Sequence, residues 1–268
     1  MKLDSTLEAV GEVAARAGAV ALSHFGRDLT VERKGDGSPV TIADRAAEAA
    51  ARAWIVERFP ADGVLGEEGG ALRPDARSQW LIDPIDGTKS FVRGVPLWAT
   101  LVARLEDGEP VAGALVFPAL RETLVAARGG GCHWNGARAA VSKVARLAEA
   151  TVLITDERHL GAGQAAWADL ARVAGLARTW GDAYGYLLVG TGRAEVMADV
   201  IANAWDLAAP QVAIEEAGGV FTDWRGKRGF AGGSGLATNL ALAADVRARL
   251  VIPREPAARR DADGGGGR

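Results

Sequence analysis

The spacing of apolar residues changes twice along this chain, and those changes restrict the fold more than any single residue does. Leu3, Leu7, Val10, Val13, Ala14 and Ala17 recur at helical spacing, with Asp4, Glu8, Glu12 and Arg16 on the other face. This predicts a helix over about Asp4–Phe25. The Gly35-Asp36-Gly37-Ser38-Pro39 turn follows. A second helix is expected over about Thr41–Phe59, where Ile42, Ala46, Ala49, Ala53 and Val56 keep the helical period, and Thr41 with Asp44 forms a capped start. After Pro60 a short strand, Gly63–Gly66, leads into Glu67 and Glu68. From Trp80 the pattern turns to strands. Trp80-Leu81-Ile82 ends in Asp83-Pro84, Leu97–Leu105 and Val111–Phe117 flank the turn Glu106-Asp107-Gly108-Glu109, and Leu120–Ala127 extends the meander. Gly129-Gly130-Gly131 and Asn135-Gly136 mark a further hairpin.

Beyond Ser142 strands and helices alternate. Strands are expected at Thr151–Thr155, Thr179–Trp180, Ala194–Ala198 and Val220–Thr222. Helices are expected at Ala165–Ala174, Tyr184–Thr191 and Asp206–Ala217, the last closed by Gly218-Gly219. The pattern is that of a layered α/β protein. It divides into an N-terminal half, residues 1–141, a C-terminal α/β half, residues 142–253, and a charged, glycine-rich tail, residues 254–268, expected to be disordered.

Composition narrows the function. With 49% hydrophobic and 24% charged residues, the 268-residue chain has material for a real core. A net charge of −3 supplies no basic field for nucleic acid. Charges interrupt the first helix too often for a signal peptide, and no apolar run approaches a membrane span, so a cytoplasmic protein is expected. The single cysteine, Cys132, excludes an internal disulfide and a cysteine-held metal cluster, and is read as a buried structural residue. His24, His133 and His159 lack metal-ligand spacing, so any metal would be held by carboxylates.

The candidate carboxylates stand where apolar elements end. In Asp83-Pro84-Ile85-Asp86-Gly87-Thr88 a strand end and turn can converge two carboxylates and a main-chain carbonyl on one point, as hard divalent cations require. The amides of Gly87 and Thr88 could receive an anion. Alone, such a pair is better read as an Asp-Pro turn whose second aspartate caps a helix. It is accompanied by Gly66-Glu67-Glu68-Gly69, by Trp205-Asp206 at a helix start, and by Asp44 in the first turn of the second helix. Each of these alone reads as a cap or a solvated surface acid. Together they are what several elements pointing into one cleft would present.

Asp83-Pro84-Ile85-Asp86-Gly87-Thr88-Lys89-Ser90-Phe91 resembles the first signature of the inositol monophosphatase family of magnesium-dependent phosphatases. Trp205-Asp206-Leu207-Ala208-Ala209, with Glu216-Ala217-Gly218-Gly219, resembles the second. Gly66-Glu67-Glu68, Thr41 with Asp44, and the Asn135-Gly136 hairpin fall in the family's order, and the resemblance spans Leu3 to Ile252. It implies a five-layer αβαβα sandwich with a cleft between its halves, a homodimer, and a small phosphate monoester as substrate. Glu67, Asp83 and the carbonyl of Ile85 would hold a first Mg²⁺. Asp83, Asp86 and Asp206 would hold a second, and Asp44 would help a third, weaker one through water. Gly87 and Thr88 would bind phosphate through their amides, while Glu67 and the Thr88 hydroxyl would orient and activate the attacking water.

Three segments resemble the branch of that family acting on histidinol phosphate. They are Lys89 to Thr100, with its Phe91-Val92-Arg93-Gly94-Val95-Pro96 run, Trp180-Gly181-Asp182-Ala183-Tyr184-Gly185-Tyr186, and Gly192 to Asp199. Carboxylates at Asp182 and Asp199 suit a cationic leaving group, whereas an inositol ring is neutral. Asp182 reads alternatively as a cap for the helix near Tyr184. Asp199 discriminates weakly, because inositol phosphatases also carry an acid there. Arg93 could screen substrate charge or pair with a surface acid. Trp98, Tyr184 and Tyr186 could flank an imidazole, although aromatic residues at these spacings are more often core. The expected reaction is Mg²⁺-dependent hydrolysis of L-histidinol phosphate, a step of histidine biosynthesis. The alternatives are an inositol monophosphate, or another small sugar or nucleotide phosphate, as substrate, and a non-catalytic binder of a phosphorylated ligand.

Overall fold

The computed structural model describes residues 3–250 other than Asp36, so the tail expected to be disordered lies outside the described residues. In chain order the elements are α1 (Leu3–His24), β1 (Glu32–Arg33), β2 (Pro39–Val40), α2 (Ile42–Arg58), β3 (Gly63–Gly66), β4 (Gly70–Leu72), β5 (Ser78–Asp86), α3 (Thr88–Phe91) and β6 (Ala99–Glu106). They continue with β7 (Glu109–Phe117), β8 (Glu122–Ala127), β9 (Gly131–Trp134), β10 (Ala137–Ala139), β11 (Thr151–Ile154), α4 (Gln164–Val173) and β12 (Leu176–Arg178). The last are α5 (Asp182–Gly190), β13 (Val196–Asp199), α6 (Ala204–Glu216), β14 (Val220–Thr222), β15 (Gly235–Thr238) and α7 (Ala243–Leu250).

The large sheet runs β10-β9-β8-β7-β6-β5-β3-β4, antiparallel except between β3 and β5. The smaller sheet runs β12-β11-β13-β15-β14. Strand alternation explains the layers. In β5, Trp80 and Ile82 enter the core under α1 and α2, beside Val10, Val13, Ala47 and Ile55, whereas Leu81 enters the opposite core. That second core joins Leu101, Leu115 and Phe117 to Tyr186 and Leu187 of α5 and to Leu207 and Val212 of α6. A third core packs Val152, Ile154 and Val196 against Trp167 and Leu170 of α4 and Val246 and Leu250 of α7. The order helix, sheet, helix, sheet, helix is the five-layer sandwich expected. Among the described residues no helix is long and apolar enough to cross a membrane.

The structure corrects several local readings. The strand expected at Thr179–Trp180 lies at Leu176–Arg178, because parallel pairing with β11 starts from Thr151 opposite Leu176 and the chain has left the sheet by Trp180. Strands β4 and β15 and helix α7 carry too little periodic signal to be read from sequence. Strand β15 is Gly-Leu-Ala-Thr, and it becomes a strand because β13 and β14 pair to either side of it. Strand β5 does not stop at Asp83-Pro84 but continues to Asp86, through an irregularity that shapes the site.

Candidate active site

Asp83 pairs with Leu101 across β5 and β6, and Asp86 pairs with Ala99. Three steps on one strand thus match two on its partner, a one-residue bulge. In an unbroken strand, residues three apart face opposite sides of the sheet. The extra residue restores both aspartates to one side, that of Leu81 and α6. Pro84, which has no amide hydrogen to give a ladder, sits inside this bulge, and its carbonyl accepts from Thr100 Oγ1 at 2.8 Å.

Helix α6 brings Asp206 to the same place from its first turn. One carboxylate oxygen each of Asp83, Asp86 and Asp206 lies within 4.8 Å of the others. Glu67, at the end of β3, joins them because its amide donates to Ile82 O at 3.2 Å, beside Asp83. Asp44 approaches from α2, where Thr88 Oγ1 lies 3.5 Å from Asp44 Oδ1 and donates to Ile85 O at 2.9 Å. The elements thus bring Asp44, Glu67, Asp83, Ile85, Asp86, Thr88 and Asp206 together in one place.

Capping and convergence turn out to be the same arrangement. Asp44 Oδ2 accepts from Thr41 N at 2.8 Å and from Thr41 Oγ1 at 2.7 Å, a complete capping box. Asp206 Oδ2 accepts from Asn203 N at 2.7 Å, Asp83 Oδ1 from Ile85 N at 3.0 Å, and Asp86 Oδ2 from Ala183 N at the start of α5. A backbone amide pins each carboxylate by one oxygen and fixes the direction of the other.

The electrostatics are those of negative charges forced together. Burial pushes Asp83 well above the usual carboxylate range, and Glu67, Asp86 and Asp206 push it further. Burial does the same to Asp86, reinforced by Asp182 and Asp206. Asp206 is raised to about 6, by burial and then by Glu67 against the opposing Asn203 hydrogen bond. Burial also raises Asp44, against the hydrogen bonds from Thr41. Mutually repelling oxygens, buried at Asp83 and half-buried at Asp86 and Asp206, beside the Ile85 carbonyl are the donor set a hard divalent cation takes, so these residues fit Mg²⁺.

On the far side of Asp86 lie the two residues expected to meet the leaving group. Asp199, at the end of β13, accepts from Thr155 Oγ1, which in turn accepts from Asp182 N at 2.8 Å. Burial raises Asp199 to about 7. Asp182 does not cap α5, since Asp86 does. Its backbone is left-handed (φ +50°), and a Cβ built on Gly87 would lie 3.3 Å from Asp182 Oδ2. Gly87 itself has φ +82°, and the same Cβ would meet Leu97 O at 3.0 Å, so this turn requires glycine.

Other candidates fall elsewhere. Arg93 donates to Lys89 O at 2.8 Å and is exposed. Trp98 is core, packed on Phe25 and Phe91. Tyr186 is buried with Phe221, and Tyr184 packs on Phe117. Cys132 is buried, its thiol pushed up to about 12 by burial. Two contacts to the site escaped sequence reading. Thr155 has no motif. Lys34 Nζ donates to Glu67 Oε1 at 2.6 Å and also to Glu68 Oε1. Burial works against its charge, but those two hydrogen bonds outweigh it and raise its pKa. Only its place beside the Gly35–Pro39 turn could have drawn attention to it.

Known proteins share this arrangement at the level of the whole chain. Residues 2–253 match the model of the inositol monophosphatase family. The chain is 43% identical over 228 residues to a histidinol-phosphatase of Chlorobaculum parvum, covering 84% of this chain and 88% of that one. It is 41% identical over 254 residues to a histidinol-phosphatase of Mycobacterium tuberculosis, covering 89% and 95%. The crystal structure of the extragenic suppressor protein suhB of Bartonella henselae superposes with a TM-score of 0.86 at 26% identity, covering 92% of this chain and 98% of that one. The expectation drawn from the two signatures is borne out: this chain is a phosphoric monoester hydrolase and belongs to the inositol monophosphatase family.

Proposed function

We propose that this enzyme releases L-histidinol from L-histidinol phosphate, using Mg²⁺ held by Glu67, Asp83, the Ile85 carbonyl, Asp86 and Asp206, with Asp44 assisting a third ion through water. The observation that carries the substrate reading is Asp182, a half-buried carboxylate in a left-handed backbone, leaning over Gly87 and linked to Asp199 through Thr155. Two acids side by side here favour an ammonium or a protonated imidazole over a neutral polyol. The identities to two histidinol-phosphatases support the same choice.

When bound, the metal neutralises charge on the phosphoryl oxygens and lowers the pKa of the attacking water. The residues do the rest. The phosphate is received by the amides of Gly87 and Thr88 at the start of α3. Thr88 Oγ1 spends its one proton on Ile85 O or Asp44, so its lone pairs are left to accept from the attacking water, opposite Glu67. A bond forms from the water oxygen to phosphorus as the bond to the alcohol oxygen breaks in line. The proposal includes the homodimer that the family resemblance implies and the cytoplasmic location expected from the charged first helix, and sedimentation would check the first.

Phosphate release with Mg²⁺ tests the proposal on L-histidinol phosphate, myo-inositol 1-phosphate, fructose 1,6-bisphosphate and adenosine 3′,5′-bisphosphate. The expected result is a preference in kcat/KM of about 10²-fold for histidinol phosphate, some 2.7 kcal/mol. A preference for the inositol ester would move the substrate and leave the metal site untouched. Tight binding without release would turn the reading to a binder.

A further inference from the structure

Lys34 holds the Glu67 carboxylate, whereas the backbone around Glu67 is held from α2. Glu48 is buried, with 2% of its side chain exposed, although it carries a carboxylate. Its Oε2 accepts from Glu68 N at 2.7 Å, and its Oε1 accepts from Gly69 N at 2.8 Å. Arg52, one turn on, donates from Nε to the same Oε1 at 2.6 Å and from its other arm to Gly70 O. A helix-borne acid and base thus grip residues 68–70 on both donor and acceptor sides. The grip is closely fitted: a Cβ on Gly66 would lie 2.2 Å from Glu48 Oε1, and one on Gly69 would lie 2.7 Å from it. Glu67 stands between Gly66 and these clamped amides, and its own amide is tied to Ile82 O. The backbone is therefore fixed immediately before and immediately after the residue.

We infer that Glu48, with Arg52, is a positioning residue for Glu67: it sets where the Glu67 carboxylate meets the metal without touching metal or substrate. This rests on the reading of Glu67 as a metal ligand. A carboxylate is needed at Glu48, because two neighbouring N–H groups and a guanidinium all donate to it. A glutamine offers one acceptor oxygen and turns a donor toward one of those amides. Groups that orient a ligand in this way typically change metal affinity about 10- to 100-fold when removed.

The test is titration calorimetry of Mn²⁺ and Mg²⁺ into the full-length protein, with the Mg²⁺ dependence of phosphate release measured in parallel. Glu48→Gln is expected to weaken ion binding about tenfold and to raise half-saturating Mg²⁺ by the same factor, while kcat at saturating Mg²⁺ falls far less. Gly69→Ala, at a position whose backbone is not left-handed, intrudes a methyl on the same carboxylate and is expected to reproduce that shift. It serves as the second probe if Glu48→Gln fails to fold. A purely structural Glu48 would lower the melting temperature and leave ion affinity unchanged in both variants, overturning the inference. Glu67→Gln separates the two layers: if it binds ions like the parent, the ligand reading itself fails, whereas a weakened Glu67→Gln beside unaffected Glu48→Gln and Gly69→Ala refutes only the positioning role.

Discussion

Aspartates line both ends of the cleft, but the two ends hold them by different means. At the proposed metal end, Asp44, Asp83, Asp86 and Asp206 each have one oxygen pinned by a backbone amide belonging to a helix start or a strand bulge. At the leaving-group end, Asp199 is tied through the Thr155 hydroxyl, and Asp182 projects from a strained left-handed backbone. The first end is built into secondary structure and changes only if the fold does. The second hangs on one hydroxyl and one unusual torsion, so its chemistry can be altered without disturbing the sheets. The first suits a reaction common to a family, and the second suits the choice of substrate.

If that division holds, mutations should separate the ends by kind of effect. The largest is expected at the metal end: Asp83→Asn or Asp206→Asn reduces phosphate release to background while thermal unfolding stays cooperative. Near-normal turnover in either variant at millimolar Mg²⁺ would break the metal assignment. Thr88→Ala is expected to lower kcat by about 10²-fold, the scale of a lost acid–base contact, measured at saturating substrate and Mg²⁺. At the other end, Asp182→Asn keeps the torsion an asparagine tolerates and removes the charge. It is expected to lower kcat/KM for histidinol phosphate by about tenfold with little change on myo-inositol 1-phosphate. Equal losses on both esters would erase the distinction between the ends.

The smallest effect concerns stability without divalent ions. Asp83, Asp86, Asp199 and Asp206 hold protons more tightly folded than unfolded, so the folded state binds more protons, and stability falls as pH rises. Their contribution is complete below the ordinary carboxylate range and is lost as pH climbs through about 6 for Asp206 and about 7 for Asp199. Melting temperatures in chelator should therefore decline between about pH 4 and about pH 8, and Mg²⁺ should restore them at the upper end. Asp199→Asn should flatten the slope near pH 7 and leave the Mg²⁺ response in place. A flat profile would contradict the crowding of charge described for this cleft.

The metal-end residues were legible in the sequence because each sits within a few residues of the feature that positions it. Asp44 lies three residues past its cap partner, Asp206 opens a helix, and Asp83 and Asp86 bracket a proline. Their meeting point was not legible, since it depends on β3, β5, α2 and α6 arriving together, and only the resemblance to a family supplied it. Glu48 was hidden because a glutamate on a helix ordinarily reads as solvated. Lys34 and Thr155 were hidden because their partners lie 33 and 44 residues away. Strand β15 could not be read at all, because Gly235-Leu236-Ala237-Thr238 owes its conformation to the two strands that flank it.

The bulge between Asp83 and Asp86 limits how this segment can vary in length. A strand alternates its side chains, so whether two positions share a face depends only on whether their separation is odd or even. The inserted residue converts an odd separation into a shared face. Losing one residue from Pro84-Ile85 while regular pairing re-formed would leave the two aspartates on one face, but it would remove the bulge and, with it, the carbonyls that Thr88 and Thr100 bond there. Parity therefore binds the spacing to the bulge: a chain that kept the three-residue step between register points but lost the bulge would carry Asp86 to the opposite face from Asp83.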